Sequence, residues 1–179
     1  MVKLPVRFNP AKLADDGTTY QAVIPVRQFT RFSELLESSE GDVQVRVSFA
    51  RDGNGRVVAE GHYSLTCELV CQRCLQVYEQ PLAADFSLTF VADEAAAESL
   101  PDEYDPVILD EHGSIHSIDM LEDELVLRLP VAPKHADESV CESLGYPGEA
   151  ALTEADSTEA GESGRKNPFD VLKDFSKPD

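Results

Sequence analysis

From Asp42 to Ala50 the chain alternates without a break: Val43, Val45, Val47 and Phe49 fall on one side, Gln44, Arg46 and Ser48 on the other. Successive side chains of a strand point to opposite faces, so a period of two specifies a half-buried strand in a sheet with one wet face. Arg51-Asp52-Gly53-Asn54-Gly55-Arg56 follows, with the glycines and asparagine that a hairpin turn takes up at positive φ. A return strand is expected from Val57 through Tyr63 and Leu65 to about Leu69, then a turn around Cys71 to Cys74. A third strand should run from Leu75 to Val91, with Phe86, Leu88 and Phe90 alternating near its end. Pro81 cannot donate to a ladder and is expected to bend or bulge that strand. The centre of the fold is thus an antiparallel meander.

Around it the patterns are shorter. Leu4 to Pro10, with two prolines, reads as an edge or extended arm, and Tyr20 to Val26 as a short strand. Phe29, Phe32, Leu35 and Leu36 recur at helical spacing and predict a helix of about three turns. Asp93 to Leu100 reads as a short helix or loop, and Val107 to Leu109 as a brief strand. Ile118, Leu121, Leu125 and Leu129 mark one helical stripe, widened by Val126 and Leu127. Ser117 stands where an N-cap belongs, and Pro130 closes the helix. The fold class expected is α+β: an antiparallel sheet, curved or partly barrel-like, two packed helices and a flexible acidic C-terminal tail.

Three regions follow along the chain. Residues 1–144 form the globular domain. Residues 145–164 are rich in Glu, Ser, Thr, Ala and Gly and bury too little to offset their ordering entropy, which makes them an acidic flexible linker. Residues 165–179 place Phe169, Leu172 and Phe175 at every third position after Asn167-Pro168, as in a short amphipathic helix.

Charge is divided unevenly over the 179 residues. The net charge of −19 sits wholly beyond Arg73: residues 1–73 carry nine basic and nine acidic side chains, and Cys74 to Leu127 contains no lysine or arginine. Nucleic-acid affinity rests on cationic neutralisation of phosphates. Direct RNA contact is therefore expected only through the N-terminal half, with Arg27, Arg31 and Arg73 among the candidates, and DNA is not an expected partner. A basic protein suits the acidic half. No apolar run is long enough for a membrane helix, and the first residues lack a signal-peptide pattern, so a cytoplasmic protein is expected.

Of four cysteines, two form the sharpest motif, Cys71-Gln72-Arg73-Cys74 in a strand-to-strand turn. A two-residue gap lets both thiolates converge on one metal ion, the first half of a tetrahedral zinc site. His135 and Cys141 can supply the second half and complete a Cys₃His set, with His112 and His116 as weaker stand-ins. The alternative is that these thiols pack in or near the core, as free cysteines often do, which is also the expectation for Cys67. A thioredoxin-type redox pair would require a helix N-terminus after a strand, and the flanks here read as strands. No GxSxG, HExxH, Walker or GxGxxG pattern occurs, nor a base-stacking aromatic set with interleaved basic residues. An enzyme is not expected.

The order of motifs now carries a resemblance. Val2-Lys3-Leu4-Pro5, Cys71-Gln72-Arg73-Cys74-Leu75, Glu122-Asp123-Glu124-Leu125, Leu129-Pro130-Val131-Ala132-Pro133-Lys134-His135 and Asn167-Pro168-Phe169-Asp170-Val171-Leu172 together resemble the YceD family, the large ribosomal RNA subunit accumulation proteins. The resemblance covers nearly all of the chain except the linker. It implies a non-enzymatic accessory role in synthesis, processing or stability of the large-subunit (23S) ribosomal RNA. The expected partner is a ribosomal protein, an assembly factor or a pre-ribosomal particle, held by Arg27, Arg31, Arg73 and the Phe169, Leu172 and Phe175 face. Some relatives carry a fuller cysteine set after the proline-rich segment, where this chain has His135 and Cys141. The rival expectation is a thiol-redox or zinc-stabilised adaptor unrelated to ribosomes.

Overall fold

The computed structural model describes residues 4–146. The chain divides into one unit ending at His135 and a second beginning at Ala136. The linker beyond Tyr146 and the segment with Phe169, Leu172 and Phe175 lie outside the described residues.

The first unit is built on a five-stranded sheet in the order β2-β3-β4-β5-β6. Its strands are β2 (Thr19–Pro25), β3 (Asp42–Arg51), β4 (Val57–Val70), β5 (Val77–Val91) and β6 (Asp105–Ile108). The alternation in β3 sets its pairing on both sides, with Val45 opposite Ala22 and Tyr63, and Phe49 opposite Ala59. Val43, Val47 and Phe49 are all but inaccessible to solvent. The turn between β3 and β4 is organised by Asp52, whose carboxylate accepts from the backbone N–H groups of Asn54 and Arg56, both at 2.8 Å. Gly55 takes the positive φ of +80° there.

Helices cover the apolar face. In α1 (Pro10–Asp15), Pro10 opens the helix and the Asn9 side chain accepts from the backbone N–H of Lys12. Phe29, between a 3₁₀ turn (Val26–Gln28) and α2 (Thr30–Ser33), and Phe32 within α2 are both buried. α4 (Ser117–Arg128) buries Met120, Leu121 and Leu125. Between layers Phe49 is shared: Phe8 meets it edge-on at 5.1 Å and Phe90 lies stacked at 6.2 Å. Each such fully buried side chain contributes roughly 1.5–3 kcal/mol. The two-residue strands β1 (Arg7–Phe8) and β7 (Ile115–His116) pair with each other. α3 (Glu94–Glu98) joins β5 to β6 and is capped by Asp93.

Several expectations are corrected. The sheet is open, with β2 and β6 at its edges, so it is not barrel-like, and β6 runs parallel to β5. Pro81 makes no bulge: the β4–β5 register runs unbroken from Val58↔Thr89 to Val70↔Val77, with Pro81 opposite Thr66. β6 pairs only with Leu88 to Val91, so β5 is an edge at Pro81 and its missing donor faces no strand. The three-turn helix at Phe29 is a single turn, because the chain leaves at Leu36 to reach β4, where the Glu37 N–H donates to Glu68 at 3.0 Å. Leu127 is 80% exposed and widens no stripe. Ser117 is the first helical residue rather than the cap; its hydroxyl and N–H both donate to the Val6 carbonyl.

A buried carboxylate ties α4 to α2. Glu122 is 4% exposed and accepts from the Phe32 N–H at 3.1 Å and from Arg31 Nε at 2.8 Å. An ionised group at that depth is tolerated only with such partners.

Candidate metal centre

The turn that joins β4 to β5 carries the cysteine motif. Cys71 donates its N–H to the Gln76 carbonyl at 2.9 Å, and Leu75 donates back to the Cys71 carbonyl at 2.8 Å. Leu75 has φ +59°, the one positive φ outside glycine among the described residues. A leucine held in that region costs of order 1 kcal/mol or more, so the surrounding contacts must impose it. With the chain folded back there, Cys71 and Cys74 sit at either end of one tight turn, buried to 0% and 1% exposure.

The third side chain arrives from the segment after α4. The Gln72 N–H donates to the Pro133 carbonyl at 2.8 Å, which pins that segment against the turn. His135 then lies with Nδ1 3.5 Å from Cys74 Sγ, its ring tilted against Tyr78 at 4.9 Å between centroids. The donor atoms of Cys71, Cys74 and His135 all fall within 4.8 Å of one another. In a tetrahedral zinc site, bonds of about 2.3 Å to sulfur and 2.0–2.1 Å to nitrogen put neighbouring ligand atoms about 3.5–3.8 Å apart. The Cys74–His135 separation meets that spacing.

Electrostatics favour the ligating form of Cys71. Burial opposes its thiolate, but the backbone N–H groups of Cys74, His135 and Arg73, with the His135 side chain, bring its pKa down to about 5. A thiolate cradled by backbone amides is what a metal requires, since the ion takes up the deprotonated form. Cys67 is the contrast: its sulfur lies 3.6 Å from the Gln80 carbonyl, and burial alone pushes its pKa up to about 11.

Cys141, the remaining member of the expected set, is in the second unit. It lies buried in α5 (Glu138–Ser143), a helix capped by Asp137, whose carboxylate accepts from the Ser139 N–H at 2.9 Å. His112 is exposed beside Glu111, and His116 lies in β7 near Asp119; neither joins the cluster. The strand flanks leave no helix N-terminus after Cys74, and a fully buried Cys71 is poorly placed for attack by a redox partner.

The arginines singled out in the sequence are scattered. Arg27 is exposed in the 3₁₀ turn, and Arg73 is half-buried inside the cysteine turn. Arg31 reaches Glu122 and, at 2.8 Å, Asp123. Arg7, Arg51 and Arg56 likewise face the protein's own carboxylates, at Asp110, Asp15 and Asp52. Sequence reasoning missed Leu75 and Tyr78. Leucine has no preference for positive φ and so gives no signal, whereas the alternation of β5 does place Tyr78 on the side of the ladder that carries Leu82 and Phe86.

A family model described as "Large ribosomal RNA subunit accumulation protein YceD" matches residues 59–176, a stretch that includes both cysteines of the turn, His135 and Cys141. The chain belongs to the YceD family. It is similar to the protein from Haemophilus influenzae named "Large ribosomal RNA subunit accumulation protein YceD", 37% identical over 137 residues that cover 76% of this chain and 79% of that protein. No solved structure gives a significant match. The YceD name describes accumulation of an RNA subunit and names no reaction. Among the described residues, no helix is long and apolar enough to cross a membrane.

Proposed function

We propose that this YceD protein supports synthesis, processing or stability of the large-subunit (23S) ribosomal RNA in the cytoplasm without catalysing a reaction. It does so by binding a protein partner: a ribosomal protein, an assembly factor or a protein face of the assembling particle. The observation that carries the protein-partner reading is the placement of charge. The acidic excess lies beyond Arg73, and the arginines of the balanced half at positions 7, 31, 51 and 56 already face carboxylates. A polyphosphate would have to compete with those carboxylates for four of the nine cations and would be repelled beyond Arg73, whereas a basic protein would be attracted there. Arg27 and the terminal Phe169, Leu172 and Phe175 face remain the proposed additional contacts.

Cys71, Cys74 and His135 hold a structural zinc ion in this reading, and Cys141 is the fourth ligand. Cys141 follows His135 by six residues, a reach of at most about 20 Å, and it supplies the thiolate that closes a Cys₃His shell. Such a closed shell offers no open position to a substrate, in keeping with a non-enzymatic role.

Three measurements test these parts. In a deletion strain the ratio of 23S to 16S RNA and the large-subunit peak in a sucrose gradient should fall, and the intact gene should restore both; unchanged profiles refute the role. A pull-down from lysate should retain ribosomal proteins after nuclease treatment, whereas loss of every partner on nuclease would mean direct RNA contact. Elemental analysis of purified protein should find one zinc per chain, absent from Cys71→Ser/Cys74→Ser.

A further inference from the structure

Between the edge strand β6 and the outer side of α4 runs a groove of about 880 Å³. Leu88, Val107 and Met120 form part of its lining. Ile108 and Leu127 also line it and are 50% and 80% exposed, leaving an apolar strip open to solvent. Beside that strip stand four carboxylates, Asp105, Asp119, Asp123 and Glu124, with Arg128 the only basic residue among the described lining. Asp123 shares Arg31 with Glu122, but the surplus of negative charge is not cancelled. Glu124 registers it: burial first, then Asp105 and Asp123, push its carboxyl pKa up, and Arg128 only partly offsets them. A cation brought into the groove would relieve that repulsion, and in a partly dewatered site the gain exceeds that at an open surface.

The arrangement has two further constraints. β6 is the last strand of its sheet, so the lining includes a backbone edge of the kind that extended segments pair with. RNA is disfavoured, because its phosphates would meet four carboxylates. Resting on the protein-partner reading above, we propose that this groove binds an extended segment of a partner protein in which arginine or lysine alternates with aliphatic residues. The cations would meet Asp105, Asp119 and Glu124, and the aliphatic side chains would cover Ile108 and Leu127.

The probe is a fluorescein-labelled 12-residue peptide of alternating arginine and valine, titrated with the full chain and read by fluorescence anisotropy at physiological salt. Asp105→Lys/Asp119→Lys should weaken binding at least tenfold. Glu60→Lys/Glu68→Lys reverses the same number of charges on the exposed face of β4 and should leave it unchanged. Equal losses in the two variants, or equal affinity for a 12-residue oligoarginine, would reduce the effect to bulk charge and overturn the groove. Binding of a 12-nucleotide oligouridine as tightly as the peptide would overturn it too. Should the Asp105→Lys/Asp119→Lys protein fail to fold by circular dichroism, Leu127→Ala decides alone: it alters an exposed side chain and should weaken the peptide at least threefold, and unchanged affinity overturns the proposal. In cells the two readings separate. A groove variant that restores 23S RNA to a deletion strain counts against the groove and leaves the accumulation role intact, while a deletion without effect refutes that role whatever the peptide does.

Discussion

Gly61 shares the inner face of the sheet with Val47 and Phe86, its partners across the two ladders. A Cβ on Gly61 would come within 2.2 Å of Phe86 Cζ and 2.8 Å of the Arg46 carbonyl oxygen. The ring can swing away, but the backbone oxygen belongs to a central ladder and cannot. Gly61→Ala should therefore destabilise the protein by about 2 kcal/mol, the usual scale of overpacking, seen as a lower urea midpoint; an unchanged midpoint would mean that the ladder can yield at the Arg46 carbonyl. Cys67 makes a different prediction, in pH. Burial pushes its thiol pKa from the ordinary 9 up to about 11 in the folded state. Below pH 9 both states hold the proton; between 9 and 11 only the folded state does, so the unfolded state binds fewer protons and stability declines as pH rises. The stability advantage of wild type over Cys67→Ala should shrink by on the order of 2 kcal/mol from pH 8 to pH 11, and a gap that stays constant would show that the thiol is not protected.

At the scale of elements, the turn between β3 and β4 depends on one carboxylate. Burial works against ionisation of Asp52, but the backbone N–H groups of Arg56 and Asn54, then the Arg56 and Tyr104 side chains, outweigh it and hold its pKa below the ordinary 3.8. Its contribution is present above pH 3.8 and disappears as pH falls through the lower folded value. Asp52→Ala should lower the melting temperature at pH 7, with the difference closing in strongly acidic buffer; a difference that persists there would assign the effect to packing. Asp52 also shows why parts of the fold could be read in advance. Its Gly-Asn-Gly neighbours announce a turn, and the period of two from Val43 to Phe49 can serve only one face of one sheet. What escaped detection was set by distant contacts. The length of α2 is decided by where Glu37 must meet Glu68, and the exposure of Leu127 by the groove beside β6, neither of which leaves a periodic trace. The parallel pairing of β6 depends on the path through α3, whose alanine-rich sequence does not encode a strand direction.

Across the whole molecule, the apolar core and the cysteine cluster are separate sources of order. The buried cluster takes in Phe49, Tyr63, Leu121, Leu125 and Cys67, but not Cys71 or Cys74. Residue types and spacing were enough to pair the cysteine turn with His135, because few side chains in this chain bind soft metals; the strained Leu75 and the Gln72–Pro133 hydrogen bond that seat them were not readable. An ion that binds the folded state alone stabilises it by mass action, about 2.7 kcal/mol when free metal exceeds the dissociation constant a hundredfold. Because the core lies outside the cluster, loss of the proposed ion should loosen one end of the β4–β5 hairpin rather than unfold the protein. Hydrogen exchange after treatment with a strong chelator should accelerate at residues 71–76, where the Gln72 N–H is held by Pro133, while the amides of Val45 and Val47 in the middle of β3 stay protected. Cys71→Ser should show the same local pattern without chelator and no further change with it. Uniform acceleration through β3 would mean that the metal nucleates the whole sheet, and no acceleration at residues 71–76 would mean that the thiols only fill space.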